Sequence, residues 1–300
     1  MIVGTHFYQQ ALRKHCERIV MKKLYTSMSG ILCGLFLVAV AHSQQPTIDK
    51  VTVPLTDPAR PMFLKIGLIS GGITVKAYAG KEVLVEASTH PDDNDEDSEE
   101  ATKRKGLKRI PNTSTGLTIE EDDNTVFVSN SGRWGSRQID LNIQVPPNCS
   151  MKLSTINEGD IVVSGVKGDL DINNTNGSVT LKDISGSVVA NALNGEILVT
   201  MSGVNPEKSM SFSSMNGTID VTFPSTIKAT LQIRNDQGEV YSDFDMQVER
   251  SKPVVEESRK DKGGKFKVSM DKGMKATVNG GGQDIQFKNF NGNIYVRKGK

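Results

Sequence analysis

The chain has 300 residues, with 36 Lys and Arg against 35 Asp and Glu and a net charge of +1. Residues 1–43 hold five of the basic residues and one acidic residue, which leaves 31 basic and 34 acidic residues in 44–300. The resulting net charge of −3 offers no basic excess that would attract nucleic acid or anionic lipid. Nucleic acid is therefore not an expected partner.

The N-terminal region has the pattern of a secretory signal. Met21 is followed by two lysines, an apolar run over 31–41 and small residues just before Gln44. We predict a signal peptide at 21–43, with an upstream extension or mis-start at 1–20. A membrane anchor is the alternative, but the apolar run is shorter than the ~20 residues that span a bilayer. We expect export to the periplasm, the outer-membrane surface or the medium, with no membrane span in the mature chain.

A β-rich N-terminal section is predicted for 44–150. Residues 47–88 alternate apolar and polar residues between glycine turns, and Asp122-Asp123-Asn124 predicts a hairpin turn. An acidic block followed by a basic block predicts a solvated charged loop at 91–109. A calcium site in the acidic block and a ligand platform at Trp134 are less favoured alternatives.

Glycine then recurs every nine residues, and apolar residues keep fixed places after it. Numbered from glycine as zero, positions two and four are apolar in five consecutive units. These ten residues are Ile161, Leu170, Val179, Val188 and Ile197 at position two, and Val163, Ile172, Leu181, Ala190 and Val199 at position four. Position six is mainly polar and position seven mostly apolar, so a bend should turn position seven inward. This course of short strands and corners is typical of a β-solenoid with about 18–22 residues per coil.

Asparagine precedes glycine in alternate units, so these asparagines should stack on one corner. An Asn-Gly corner tolerates left-handed backbone, which we expect at Gly177 and Gly195. The predicted structural turn residues are Gly159, Gly168, Gly177, Gly186, Gly195, Gly217, Asn176, Asn194 and Asn216.

Few residues could carry chemistry. His90 and Cys149 are the only histidine and cysteine after residue 43, so no intramolecular disulfide is possible there, and Cys149 is predicted to be buried. We predict no catalytic, metal or cofactor residues. The alternative is a polysaccharide-active β-helix enzyme, a lyase or a glycoside hydrolase, which needs paired carboxylates. Its candidate residues are Asp160, Asp169, Asp171, Asp243 and Asp245.

The segment "VPPNCSMKLST", the Asn-Gly and Ser-Gly turns that follow it, and "GEVYSDFDMQVE" and "VNGGGQDIQFKNFNGNIYVRK" near the end carry a family resemblance. Over roughly residues 47–300 the chain resembles the putative-adhesin β-strand-repeat family, a domain of unknown function related to head GIN adhesin-like domains. The resemblance implies a right-handed parallel β-solenoid over 151–300, continuous with the N-terminal section and carrying an insertion at 249–266. It implies no site residues.

Together, these features predict a non-enzymatic exported adhesin or cell-envelope binding or scaffold module. Its partner could be a polysaccharide or an envelope or surface protein.

Overall fold

The computed structural model describes residues 48–89, 116–130, 138–250, 254–257, 266–269 and 273–300. The chain divides into two compact units, 1–45 and 46–300, and all described residues belong to the second. Several predicted features lie outside the described residues: the extension at 1–20, the signal peptide, His90, the charged loop, Trp134 and most of the insertion at 249–266.

The described residues are all-β, which confirms the predicted class. Alternating apolar residues give most strands one buried and one exposed face, the pattern of a half-buried strand. The strands are β1 (Ile48–Pro54), β2 (Met62–Ser70), β3 (Ile73–Ala77), β4 (Glu82–Thr89), β5 (Leu117–Asp122), β6 (Thr125–Asn130), β7 (Ile139–Val145), β8 (Cys149–Asn157), β9 (Ile161–Ser164), β10 (Leu170–Asn176), β11 (Val179–Gly186), β12 (Val188–Asn194), β13 (Ile197–Val204), β14 (Met210–Asn216), β15 (Ile219–Phe223), β16 (Ala229–Gln237), β17 (Val240–Ser242), β18 (Met246–Arg250), β19 (Val254–Glu257), β20 (Phe266–Ser269), β21 (Met274–Val278), β22 (Gln283–Asn291) and β23 (Ile294–Lys298).

Two long mixed sheets enclose one hydrophobic core. Sheet 1 has the order β1-β4-β7-β3-β9-β11-β13-β15-β23-β17, and sheet 2 has the order β18-β21-β16-β22-β14-β12-β10-β8-β2-β6-β5. Neighbours in the centre of each sheet are parallel, whereas antiparallel pairs lie toward the ends. A strand of sheet 2 and the following strand of sheet 1 make one coil of a solenoid-like repeat. The hairpin β19–β20 forms a separate two-stranded sheet.

The period in the sequence sets the register between coils. Leu170 pairs with Val188, and Val189 pairs with Ser211, so successive coils advance by 18 and then by 22 residues. All ten apolar residues at positions two and four are at most 2% exposed. The predicted core positions are therefore confirmed.

The prediction for positions six and seven is right in two half-coils and wrong elsewhere. Just after β9 and within β11, both in sheet 1, Gly165 and Asp183 are exposed with φ of 72° and 55°. Val166 and Ile184, the residues that follow them, turn inward as expected. In sheet 2 the strand continues straight, so Asn174 and Ala192 at position six are buried while position seven faces outward. Met201 at position six of β13 is buried as well. Without a left-handed residue at position six, strand alternation simply continues.

The chain order of the coils differs from their order in space at both ends. Coil β2–β3 lies between β6–β7 and β8–β9, and coil β22–β23 lies between β14–β15 and β16–β17. Phe287 of the last coil stacks on Phe212 with ring centroids 5.3 Å apart and meets Phe223 edge-on. Gly238 therefore does not lie directly on Gly217, because Gly292 lies between them.

Replacing Leu181 with Asp should unfold the domain, because Leu181 is fully buried and the carboxylate would have no partner in the core. The same substitution at the neighbouring exposed Lys182 should change the free energy of unfolding by no more than about 0.5 kcal/mol. Denaturant unfolding of both variants measures the difference. Equal tolerance at the two sites would contradict the register.

Candidate binding surface

The predicted asparagine stack lies along one corner of the coils. Asn194 donates through Nδ2 to Oδ1 of Asn176 at 2.9 Å, and Asn216 donates in the same way to Asn194 at 2.9 Å. Asn176 in turn donates to Asn157 at 3.3 Å, and Asn291 pairs in register with Asn216. We call these five residues the asparagine ladder.

A column of glycines runs beside the asparagine ladder. A Cβ atom added to Gly177 would overlap the carbonyl oxygen of Gly159 in the preceding coil, and one added to Gly195 would overlap that of Gly177. The same relation joins Gly217 to Gly195 and Gly292 to Gly217. At this corner, which we call the glycine corner, neighbouring coils approach so closely that no side chain fits.

At Gly177 and Gly195 the predicted reason for glycine is wrong. Neither Gly177 nor Gly195 has a φ in the left-handed range. At these two positions, close approach of backbone from a neighbouring coil therefore requires glycine, whereas Gly217 and Gly292 combine the close approach with a positive φ of 159° and 134°. Gly168 and Gly186 form the opposite corner, where Gly186 lies against the carbonyl of Gly168 and does have a positive φ of 146°.

Buried polar side chains at position six complete the glycine corner from inside. Asn174 donates through Nδ2 to the carbonyl of Gly159 at 2.9 Å, and Asn289 donates to that of Gly217 at 2.9 Å. Thr155 and Ser214 use their hydroxyl groups in the same way, toward Gly71 at 2.9 Å and Gly195 at 3.2 Å. The polar character of position six thus reflects internal hydrogen bonds, which the sequence pattern alone cannot separate from exposure.

An apolar stripe crosses the outer face of sheet 2 next to this corner. It consists of one residue from each of six neighbouring strands: Ile69, Ile156, Thr175, Leu193, Met215 and Phe290. The five apolar members are 40% to 48% exposed. With strands about 4.8 Å apart, the stripe is about 24 Å long. Because these exposed apolar side chains are aligned rather than scattered, this face is a candidate interaction surface.

Polar side chains border the stripe on both sides. The asparagine ladder lies on one side, and Ser154, Asn173, Asn191, Ser213 and Lys288 form the other, which we call the polar row. Asn191 donates through Nδ2 to Oδ1 of Asn173 at 3.0 Å. From Thr175 to Phe290 the stripe and the polar row line a groove of about 500 Å³. Sequence reasoning missed this surface because position seven, which includes Leu193, was predicted to turn into the core.

Four of the five candidate carboxylates of the enzyme alternative have structural partners. Asp160 accepts from the backbone N–H of Ser178 at 2.7 Å, and Asp243 accepts from that of Lys298 at 2.6 Å. Asp171 forms an ion pair with Lys152 at 2.6 Å, while Asp245 is exposed. Asp160 precedes a strand of sheet 1, whereas Asp171 lies on a strand of sheet 2, so the fold does not pair them across a groove.

Asp169 is held most firmly among these acids. It accepts from the hydroxyl of Ser187 at 2.6 Å and forms an ion pair with Lys208. Burial alone would raise the pKa of Asp169, but the hydrogen bonds from Lys208 and Ser187 outweigh it and lower the pKa below its ordinary value. A carboxyl group of this kind stays ionised at neutral pH and is unsuited to general acid catalysis.

Cys149 is fully buried, as predicted, and burial raises the pKa of its thiol to about 12. The thiol is therefore protonated at neutral pH and a poor nucleophile. Within the described ranges, no cluster of three or more His, Cys, Asp or Glu side chains could hold a metal ion. The same ranges contain no helix long and apolar enough to cross a bilayer.

Replacing Gly177 with Ala should lower the free energy of unfolding by about 3 kcal/mol, the upper end of the usual cost of overpacking, because the backbone of Gly159 cannot move away. The matched control is Gly67→Ala on the outer face of β2, where the added Cβ would lie 3.5 Å from Ser154. Chemical denaturation of both variants makes the comparison. A cost at Gly177 no larger than at Gly67 would rule out the close contact.

Ala192 occupies position six but has no side-chain donor for the carbonyl of Gly177. Ala192→Ser should raise the free energy of unfolding by about 0.5–1 kcal/mol, by analogy with Ser214 and its hydrogen bond to Gly195. Ala190→Ser is the control, because Ala190 is equally buried but faces the core between Ile172 and Phe212. Ala190→Ser should lower the free energy of unfolding by about 1–3 kcal/mol. The same sign for both substitutions would contradict the assigned role of position six.

The chain matches one protein family and resembles solved structures of other proteins. Over residues 123–276, just over half of its length, it matches the family described as Toastrack DUF4097. A putative cell adhesion protein from Clostridium sporogenes is 11% identical, with a TM-score of 0.41 over 85% of this chain and 100% of that one. A putative adhesin from Bacteroides fragilis is 13% identical, with a TM-score of 0.34 over 84% of this chain and 97% of that one.

With identities of 11% and 13% and TM-scores of 0.41 and 0.34, these two structures indicate nothing about a ligand. No curated protein matches the chain. The family match covers Gly159, Gly177, Gly195 and Gly217 of the glycine corner and four of the six strands that carry the apolar stripe. The chain belongs to the Toastrack DUF4097 family.

Proposed function

We propose that this protein is an exported, non-enzymatic binding module of the adhesin type that works at the cell envelope. The observation that carries the proposal is the apolar stripe, which no described residue of the chain covers. A column of side chains on a rigid stack of coils can hold a partner through many weak contacts. Repeat architectures present extended surfaces of this kind.

Export is supported by the predicted signal peptide at 21–43, and the right-handed course of the coils by the family resemblance. Cell fractionation with an antibody against the protein tests export. We expect the protein in the periplasm, the outer membrane or the medium, with the leader removed. Protein confined to the cytoplasm with an intact N-terminus would contradict export.

A polysaccharide-active enzyme is the second candidate, but the structural partners of its carboxylates argue against it. Incubating the purified protein with bacterial and plant polysaccharides, with and without calcium, should release no new reducing ends or unsaturated products. Reproducible turnover that Asp171→Asn or Asp243→Asn abolishes, with folding intact, would favour the enzyme.

Binding through the stripe can be tested with two leucines of equal exposure. Leu193 lies in the stripe and is 44% exposed, whereas Leu198 lies on the outer face of sheet 1 and is 45% exposed. We expect Leu193→Ser to weaken retention of the purified protein on envelope material by roughly fivefold, about 1 kcal/mol. Leu198→Ser should leave retention unchanged. Equal loss in both variants would exclude the stripe as the binding surface.

A further inference from the structure

Three basic side chains lie where the polar row meets β16 and β21, near one end of sheet 2. Lys288 pairs in register with Arg234 on β16, and Lys275 lies on β21, the next strand after β16. All three line a recess of about 410 Å³, and Lys288 also lines the 500 Å³ groove, so the recess continues the groove.

These charges are only partly compensated. Arg234 lies 3.6 Å from the carboxylate of Asp236, whereas Lys275 and Lys288 form no ion pair with any residue in the described ranges. Three acids lie nearby: Asp236 also lines the 500 Å³ groove, Glu249 lies opposite Lys275 in register on β18, and Asp284 lines an adjoining recess with Gln232 and Gln286. The register places two like charges, Lys288 and Arg234, side by side at the end of the groove, although residues 44–300 are acidic overall.

We propose that the groove binds an acidic polysaccharide, with the polymer running along the apolar stripe and a carboxylate at Lys288, Arg234 and Lys275. This inference rests on the proposed binding function and names its ligand class. Like charges directly opposite each other on neighbouring strands are unfavourable, so Lys288 and Arg234 favour an anionic partner over a neutral one. Amide and hydroxyl groups of the polar row and the asparagine ladder can both donate and accept hydrogen bonds, as sugar hydroxyls require.

The shape of the surface favours a glycan over a peptide. The stripe is one side chain wide, and it matches the apolar face of a sugar ring whose hydroxyl groups point toward polar groups on both sides. An extended peptide would gain most from backbone hydrogen bonds at a sheet edge. The central strands of sheet 2 already pair on both sides and offer a peptide no such edge.

The test measures binding of the purified protein to polygalacturonate, to the same polymer with its carboxylates methyl-esterified, and to polyglutamate. We expect polygalacturonate to bind, with an affinity that falls as salt increases, and the ester and the peptide to bind more weakly. Lys288→Gln should weaken binding of polygalacturonate by roughly fivefold. Lys182→Gln, an exposed lysine on the opposite face, should leave it unchanged. Unaltered thermal unfolding of both variants shows that they are folded.

The other outcomes separate this inference from the proposed function. Equal affinity for the ester would exclude charge recognition, and tighter binding of polyglutamate would assign the groove to an acidic peptide. Absence of binding to all three polymers would overturn the inference, while retention on envelope material would still support a binding module. Cleavage of the polymer would overturn the proposed function itself.

Discussion

One close contact recurs at the glycine corner, where the glycine of each coil lies against the glycine carbonyl of a neighbouring coil. Three hydrogen bonds surround it. At Gly177, the N–H donates to the carbonyl of Asn194, Asn174 donates to the neighbouring glycine carbonyl from inside, and the asparagine ladder closes the outer side. A side chain at this point would push the coils apart. The contact therefore fixes the spacing of the coils and, with it, the pairing of both sheets.

The apolar stripe is a direct consequence of this corner. Five of the six stripe residues lie in sequence between a position-six residue, whose side chain points inward, and an asparagine of the ladder, as in Ser214-Met215-Asn216, whereas Ile69 is followed by Ser70. Because both neighbours are fixed, the central side chain has to point out of sheet 2. Repetition in successive coils then aligns these side chains into one column. The apolar stripe and the stability of the fold thus depend on the same few residues of each coil.

The sequence period predicts the β class, the core at positions two and four and the residues of the glycine corner, because these repeat in every unit. It could not assign Leu193 and Asn174 correctly, since polarity was taken as a sign of exposure and apolarity as a sign of burial. Asn174 is buried because it donates to Gly159, and Leu193 faces outward because its neighbour Ala192 is buried at position six. The place of coil β22–β23 was also out of reach, because every coil carries the same Asn-Gly signal and none identifies its neighbour.

Native-state hydrogen exchange at the glycine corner tests this account most directly. The amides of Gly177, Gly195 and Gly217 donate to asparagine carbonyls of the next coil at 3.0 to 3.2 Å, although these glycines lie in corners between strands. If the corner holds the coils together, these amides should exchange only through global unfolding, as slowly as the core amides of β10 and β12. Exchange at the rate of exposed turns, with the core strands still protected, would show that the sheets hold their register without the corner and would contradict the account.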